Sequence, residues 1–295
     1  MSEPQTAGGA APVTGVPMGG RVCVVTGASS GIGQAASVAL AGLGATVVLV
    51  CRDRGRGQNA MAEVGAAARG GEPSLELADL SSAEQVRDLA GRLAGLPRID
   101  VLVNNAGLVI YHRQLTADGL EHTFALNHLA PFLLTNLLRP KLEASGPARV
   151  VTVASTAHRG ARLDLDDLQL EHRYSAMLAY SNSKLANILF TRELARRLDG
   201  TGVTANCLHP GTVRTRFGQT GSAWLRLGIA IAAPFFRSPE QGARTLVYLA
   251  SSPEVSGQSG GYYVSGKLRE PSPTARNDDT ARRLWDLSAE LTGLS

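Results

Sequence analysis

Residues 21–43 constrain this chain more than any other stretch. RVCVVT at 21–26 is a short, continuous apolar run that reads as a buried strand. It leads into Gly27, Ala28, Ser29, Ser30, Gly31, Ile32 and Gly33, after which a helical pattern continues through Leu43. Strand, glycine-rich turn and helix are the opening half of a βαβ unit that binds dinucleotides. Glycines let backbone N–H groups approach a pyrophosphate, and the positive end of a helix favours the anion. The spacing is Gly27-x3-Gly31-x-Gly33, not the usual G-x-G-x-x-G. In a chain with 33 glycines, a plain tight turn is the competing reading.

The strand-helix beat continues. Residues 45–50 (ATVVLV) form a second strand that ends in Cys51-Arg52. A carboxylate at this place suits the ribose 2′-hydroxyl of NAD, whereas an arginine suits a 2′-phosphate. The guanidinium fork of Arg52 therefore predicts NADP(H), with NAD(H) the runner-up and Asp53 next door blurring the choice. SLELADL at 74–80 is a strand bearing Asp79 and Leu80, and SSAE after it is an N-cap signature for a helix to about residue 93. IDVLV at 99–103 ends in Asn104, Asn105, Ala106 and Gly107, small and polar residues suited to a crevice where a cofactor lies against backbone.

A long helical region is predicted over 115–142, with Asn127 amid apolar residues. Asparagine is a poor mid-helix residue and marks a kink or a site. A fifth strand at 149–154 ends in Ser155-Thr156, followed by a connection to residue 177 that is long for a βα loop. A sixth strand at 203–209 stops at Pro210-Gly211. Residues 216–238 are apolar and irregular, either a core helix or a lid over an apolar ligand. A helix at 239–251, a last strand at 261–265 and an amphipathic helix at about 275–291 complete the pattern. About seven parallel strands alternating with helices on both faces predict a doubly wound α/β sheet of Rossmann type. It would be a single domain over 20–295, behind a disordered tail at 1–19.

Within the helix read over 175–198, Tyr180 and Lys184 stand four residues apart and so share one face. A phenol near pKa 10 is a poor acid-base catalyst at pH 7; bringing it there takes about 3 units, or roughly 4 kcal/mol, and a neighbouring cation favours the ionised form. The chain holds only three lysines against 26 arginines, so the pairing is improbable as accident.

Composition narrows the alternatives. The net charge of +4 has no basic run behind it and its basic residues are paired with acids, which argues against nucleic acid. Cys23, Cys51 and Cys207 lack CxxC or Cys/His spacing, so neither a disulfide nor a metal is expected and a reducing cytoplasm fits. The longest apolar run, 227–236, contains Gly228 and Pro234 and is too short to span a bilayer, so no stable membrane insertion is expected.

Taken jointly, TGASSGIG at 26–33, Asp79, NNAG at 104–107, Asn127, Ser155, YSNSK at 180–184 and PGTVRT at 210–215 resemble the short-chain dehydrogenases/reductases. CRDRGRG at 51–57, LNHLAPFLLT at 126–135 and HPGTVRT at 209–215 are most similar to the retinol-dehydrogenase-like branch. The resemblance implies an NADP(H)-dependent oxidoreductase for an apolar ketone or aldehyde and its alcohol. By the same resemblance Tyr180 is the general acid/base, Lys184 depresses its pKa and binds the nicotinamide ribose, Ser155 orients the carbonyl, and Asn127 fixes a water in a relay through Lys184. The cofactor contacts implied are Gly27, Ser29, Ser30, Gly31, Ile32, Gly33, Arg52, Asp79, Leu80, Asn105, Ala106, Gly107, Tyr180, Lys184, Pro210, Gly211, Val213 and Thr215. Thr156, His158, Tyr174 and the 216–238 stretch border the expected pocket, with His158 and His172 read as loop or pocket-edge residues. Family members often pair through the helices holding Asn127 and Tyr180, which leaves a homodimer open. A non-catalytic dinucleotide-binding regulator is the reading from another class; it needs the glycine turn but not the proton-handling set.

Overall fold

The computed structural model describes residues 17–211 and 237–294. Its strands are β1 (Val22–Thr26), β2 (Thr46–Cys51), β3 (Ser74–Leu77), β4 (Val101–Asn104), β5 (Arg149–Val153), β6 (Thr204–His209), β7 (Tyr262–Val264) and β8 (Lys267–Arg269). They form one sheet in the order β3-β2-β1-β4-β5-β6-β7-β8. The first seven are parallel, as the alternation predicts, and β8 pairs antiparallel with β7. The two-residue turn between them, Ser265-Gly266, holds both φ angles positive (53° and 74°), a hairpin geometry that carries the chain straight back. β8 escapes a hydrophobicity reading because all three of its residues are exposed.

Helices α1 (Gly31–Gly42) and α2 (Arg54–Ala67) cover one face of the sheet, joined by α7 (Pro239–Ser251). The other face carries α3 (Ala83–Ala94), α5 (Ala130–Ala144) and α6 (Ala176–Arg197). A three-residue α4 (His122–Phe124) precedes α5, and α8 (Asp278–Thr292) packs on α6. Along β1 the pleat sends Val22 and Val24 into the α3-α5-α6 core and Cys23 and Val25 into the α1-α2-α7 core. Both faces being covered, the strands read as unbroken apolar runs instead of alternating ones.

Two boundaries differ from expectation, and one helix was not expected. Residues 115–121 are a loop closed by a bridge between Leu115 and Glu121, and helix begins at His122, where the buried Glu121 carboxylate accepts the N–H groups of Thr123 and Phe124. The tail prediction reaches too far, because Met18 is buried and its N–H donates to the Leu43 carbonyl at 2.7 Å; residues 1–16 lie outside those described. The α2 segment carries Gly55, Gly57 and Gly65, which hides a helix whose cap, Asp53, accepts the Arg56 N–H at 2.8 Å. Gly57 has a packing reason, since a Cβ there would lie 2.8 Å from Leu75.

From β1 the chain steps outward to β3 and then returns to β4 on the other side of β1. The C-terminal ends of β1 and β4 thus flank the topological switch point, where sheets of this kind form their ligand crevice.

Candidate active site

Gly27 follows β1 and Asn105-Ala106-Gly107 follows β4, and the two turns are tied to each other. The Thr26 hydroxyl donates to the Val103 carbonyl and accepts the N–H groups of Asn105 (2.9 Å) and Ala106 (3.1 Å). The Asn105 amide donates to the carbonyls of Thr26 and Gly27. Gly27 (φ 65°) and Gly31 (φ 58°) adopt the left-handed backbone that favours glycine. Gly33 is glycine for another reason: a Cβ there would lie 2.4 Å from the Gly27 carbonyl oxygen and 2.5 Å from the Asn105 amide nitrogen. The first turn of α1 holds no acidic residue, and its cap Ser30 makes no side-chain capping bond, so the N–H groups of that turn suit an anion. The cradle therefore fits a dinucleotide pyrophosphate.

At the adenine end, the Asp53 carboxylate is engaged by its own helix: it caps α2 and lies 3.4 Å from Arg56 Nε. Arg52 is mostly exposed at the end of β2, with its guanidinium 3.9 Å from Asp79. Asp79 in turn accepts the Ser81 N–H (2.9 Å) and hydroxyl (2.7 Å). The Ser29 side chain stands near Cys51, and Ile32 packs partly into the α1-side core. The Leu80 side chain is buried in the α3-side core, which leaves its backbone as the part able to meet a ligand. Pro210 and Gly211 (φ 89°) follow β6. Val213, Thr215 and residues 216–236 of the expected lid lie outside the described residues; Ser238 is the N-cap of α7 in a capping box with Gln241.

The reacting end is built on α6, β5 and the turn before α5. Tyr180 and Lys184 share a face, with Lys184 Nζ 5.5 Å from the tyrosine ring centroid. Ser155 caps the 3-10 turn after β5, and its side chain stands near the Tyr180 phenol. Lys184 Nζ donates to the Val153 carbonyl at 3.0 Å. Asn127 sits in a π turn (Ala125–Leu129), as its mid-helix placement foretold. Its amide pairs reciprocally with Leu108, both bonds at 2.9 Å, and reaches the Ser183 hydroxyl at 3.1 Å. Gly107 lies against this group, since a Cβ on it would be 3.2 Å from Asn127 Oδ1 and 3.4 Å from Lys184 Nζ. The four predicted residues and the NNAG turn thus meet at one place.

Electrostatics corrects one expectation. Burial pushes Lys184 down to about 8, so it keeps its proton at pH 7 with little to spare. Burial raises Tyr180 above the ordinary phenol value, opposed by the Ser155 hydrogen bond. The depression anticipated from Lys184 does not prevail, because withdrawal from water penalises the charged form of both partners. In this chain Tyr180 is a phenol that holds its proton.

His158 lies in the connection after β5, as expected of a loop residue, and it is buried there. It is 1% exposed, its Nδ1 bonds the Ser155 carbonyl at 2.6 Å, and its Nε2 accepts the Ser272 N–H at 3.1 Å. It anchors the serine from behind instead of edging a pocket. Nearby, His209 accepts the Thr156 N–H at 3.3 Å and is pushed down to about 4 by burial and by Arg237 and His158. The Asn182 amide pins Arg162 of the long connection, and Tyr174 donates to the Ile110 carbonyl at 2.7 Å, holding the loop after NNAG.

A crevice that fits a dinucleotide and places Ser155 and Tyr180 beside a lysine is the equipment of a nicotinamide-dependent oxidoreductase. Residues 21–226 match the family model described as short chain dehydrogenase, and the chain belongs to that family. It is similar to human retinol dehydrogenase 14, 45% identical over 94% of this chain and 88% of that one. Among solved structures, an uncharacterized protein from Mycobacterium paratuberculosis superposes with a TM-score of 0.79 at 35% identity, covering 95% of this chain and 96% of that one. The Pseudomonas aeruginosa RhlG/NADP active-site complex gives 0.67 at 28% identity, covering 84% and 95%. The protein is thus a retinol-dehydrogenase-like member of the family, an NAD(P)-dependent enzyme acting on CH–OH groups.

Proposed function

We propose that the chain interconverts an apolar aldehyde or ketone and its alcohol with NADP(H), within a single domain in the cytoplasm. The convergence of Asn127, Ser155, Tyr180 and Lys184 carries this reading. When bound, the dinucleotide supplies or accepts the hydride. Ser155 orients the carbonyl oxygen. Tyr180, holding its proton at neutral pH, donates it to that oxygen in reduction and takes it back in oxidation. Lys184 binds the nicotinamide ribose, and Asn127 holds the NNAG-side loop against the pair. The cofactor preference rests on Arg52, exposed and able to meet a 2′-phosphate, beside an Asp53 already spent on capping α2. The similarity to retinol dehydrogenases and the partly exposed Leu108, Val109 and Ile110 favour a retinoid-like or other lipid carbonyl. Three buried free cysteines are consistent with the reducing compartment. Among the described residues, no helix is long and apolar enough to cross a membrane.

Turnover of a carbonyl and alcohol panel, read by nicotinamide absorbance, tests the proposal. Tyr180→Phe is expected to abolish turnover while dinucleotide binding survives, and retained turnover would sink the mechanism. Arg52→Ala is expected to raise KM for NADPH about tenfold or more and leave that for NADH nearly unchanged, the loss of a charge-assisted contact worth ~1.5–3 kcal/mol. An unchanged NADPH preference in the variant would refute the role given to Arg52, and a lower KM for NADH than for NADPH in the wild type would make NAD(H) the natural cofactor.

A further inference from the structure

The Asn127 carbonyl lacks its helical partner for a reason written in the sequence. Four residues on, where an N–H would normally close the turn, stands Pro131. The Asn187 amide, one turn after Lys184 on α6 and 2% exposed, fills the gap. Its Nδ2 donates to the Asn127 carbonyl at 2.9 Å and to the Val153 carbonyl at 3.3 Å, the same carbonyl that receives Lys184 Nζ at 3.0 Å. Two carbonyl acceptors fix which end of the amide is nitrogen. Its oxygen therefore faces His128 Nδ1, across a long 3.4 Å contact that requires the proton on Nδ1. His128 is fully buried and neutral, pushed down to about 4 chiefly by burial, so its Nε2 accepts from the Ser288 hydroxyl of α8 at 2.9 Å.

We infer that Asn187 is a positioning residue for the reaction, setting Lys184 and the Asn127 backbone, and that His128 and Ser288 of the C-terminal helix orient it. The inference rests on the proposed roles of Lys184 and Asn127. Every bond in the chain points one way, from Ser288 through His128 and Asn187 to the two carbonyls. Removing the first donor frees His128 to take the commoner Nε2–H form, which turns a lone pair toward the Asn187 oxygen and loosens the clamp.

The chain can be tested on the whole protein in two ways. In a long-range 1H–15N correlation of 15N-histidine protein, the ring signal lost in His128→Asn should be that of a neutral Nδ1–H imidazole; an Nε2–H pattern would overturn the inference. This readout is independent of turnover, so it stands apart from any failure of Tyr180→Phe to behave as proposed. In kinetics, Asn187→Leu should lower kcat about tenfold or more, as expected of a small misplacement at a reacting centre, with dinucleotide affinity held within about threefold. Ser288→Ala should lower kcat in the same sense by a smaller factor. Adding His128→Asn, whose amide can donate from the Nδ1 position, should recover most of that loss. Wild-type kcat in Asn187→Leu, or no recovery in the double variant, would reduce the chain to packing and refute it.

Discussion

A buried imidazole with a partner on each nitrogen has one tautomer to give, and His158 gives it to Ser155. Removing the ring would leave the buried Ser272 N–H unpaired, at a cost of about 1–3 kcal/mol, while the Ser155 carbonyl would keep only the residue 158 backbone N–H at 3.2 Å. His158→Ala should therefore lose ~1–3 kcal/mol in urea unfolding, whereas His158→Asn, able to keep a side-chain bond to Ser155, should lose less; equal small losses in both would contradict the assignment. Burial, with Arg159 adding to it, lowers the His158 pKa. The neutral form is the one that fits, so its contribution is present above the ordinary histidine value near 6.5 and is lost as pH falls through the depressed one. At this scale the sequence disclosed what is local. Tyr180 and Lys184 were legible because four residues on a helix bring side chains together. His158 was not, because its meaning depends on Ser272, which is 114 residues away.

Among the elements, the βα turn at 26–33 was the most legible and is the most tightly fitted. Each glycine there answers a separate constraint, positive φ at Gly27 and Gly31 and contact at Gly33. Gly33→Ala would drive a methyl into the Gly27 carbonyl oxygen and the Asn105 amide, so α1 must withdraw from the strand ends. Overpacking of this kind costs about 1–3 kcal/mol, and the displaced first turn should weaken dinucleotide binding about tenfold, measurable by calorimetry. Wild-type affinity would show that the turn tolerates a Cβ that the packing forbids. Less legible were the elements whose form is set from outside. The glycine-rich α2 is held by Asp53 and Leu75, and the start of helix at His122 depends on a buried cap, not on periodicity. The π turn was half visible, since Asn127 announced an irregularity but the Pro131 behind it went unread.

For the molecule as a whole, the strand-helix alternation predicted the parallel sheet, and the C-terminal helix supplies what alternation could not. Helix α8 lies on the α5-α6 face, the one expected to carry a homodimer. Its Trp285 meets Phe132 edge-on at a centroid distance of 4.9 Å, stacks on Phe190 at 5.8 Å, and carries the Arg197 guanidinium 4.3 Å above its ring. Ser288 reaches between the helices to His128. A second copy would need about 800 Å² of free surface on each partner for a stable interface, and on this face α8 already covers the apolar centre. The chain should therefore sediment as a monomer at micromolar concentration, and a dimer that disappears on charging exposed residues of α5 and α6 would overturn that. Trp285→Ala should lose ~3–5 kcal/mol of stability, the usual scale for emptying a buried aromatic site. If α8 takes the place that a partner helix would fill in a pair through α5 and α6, that same variant should also begin to self-associate as concentration rises. A variant that is destabilised by that amount yet stays monomeric would mean that α8 stabilises the fold without having displaced an interface.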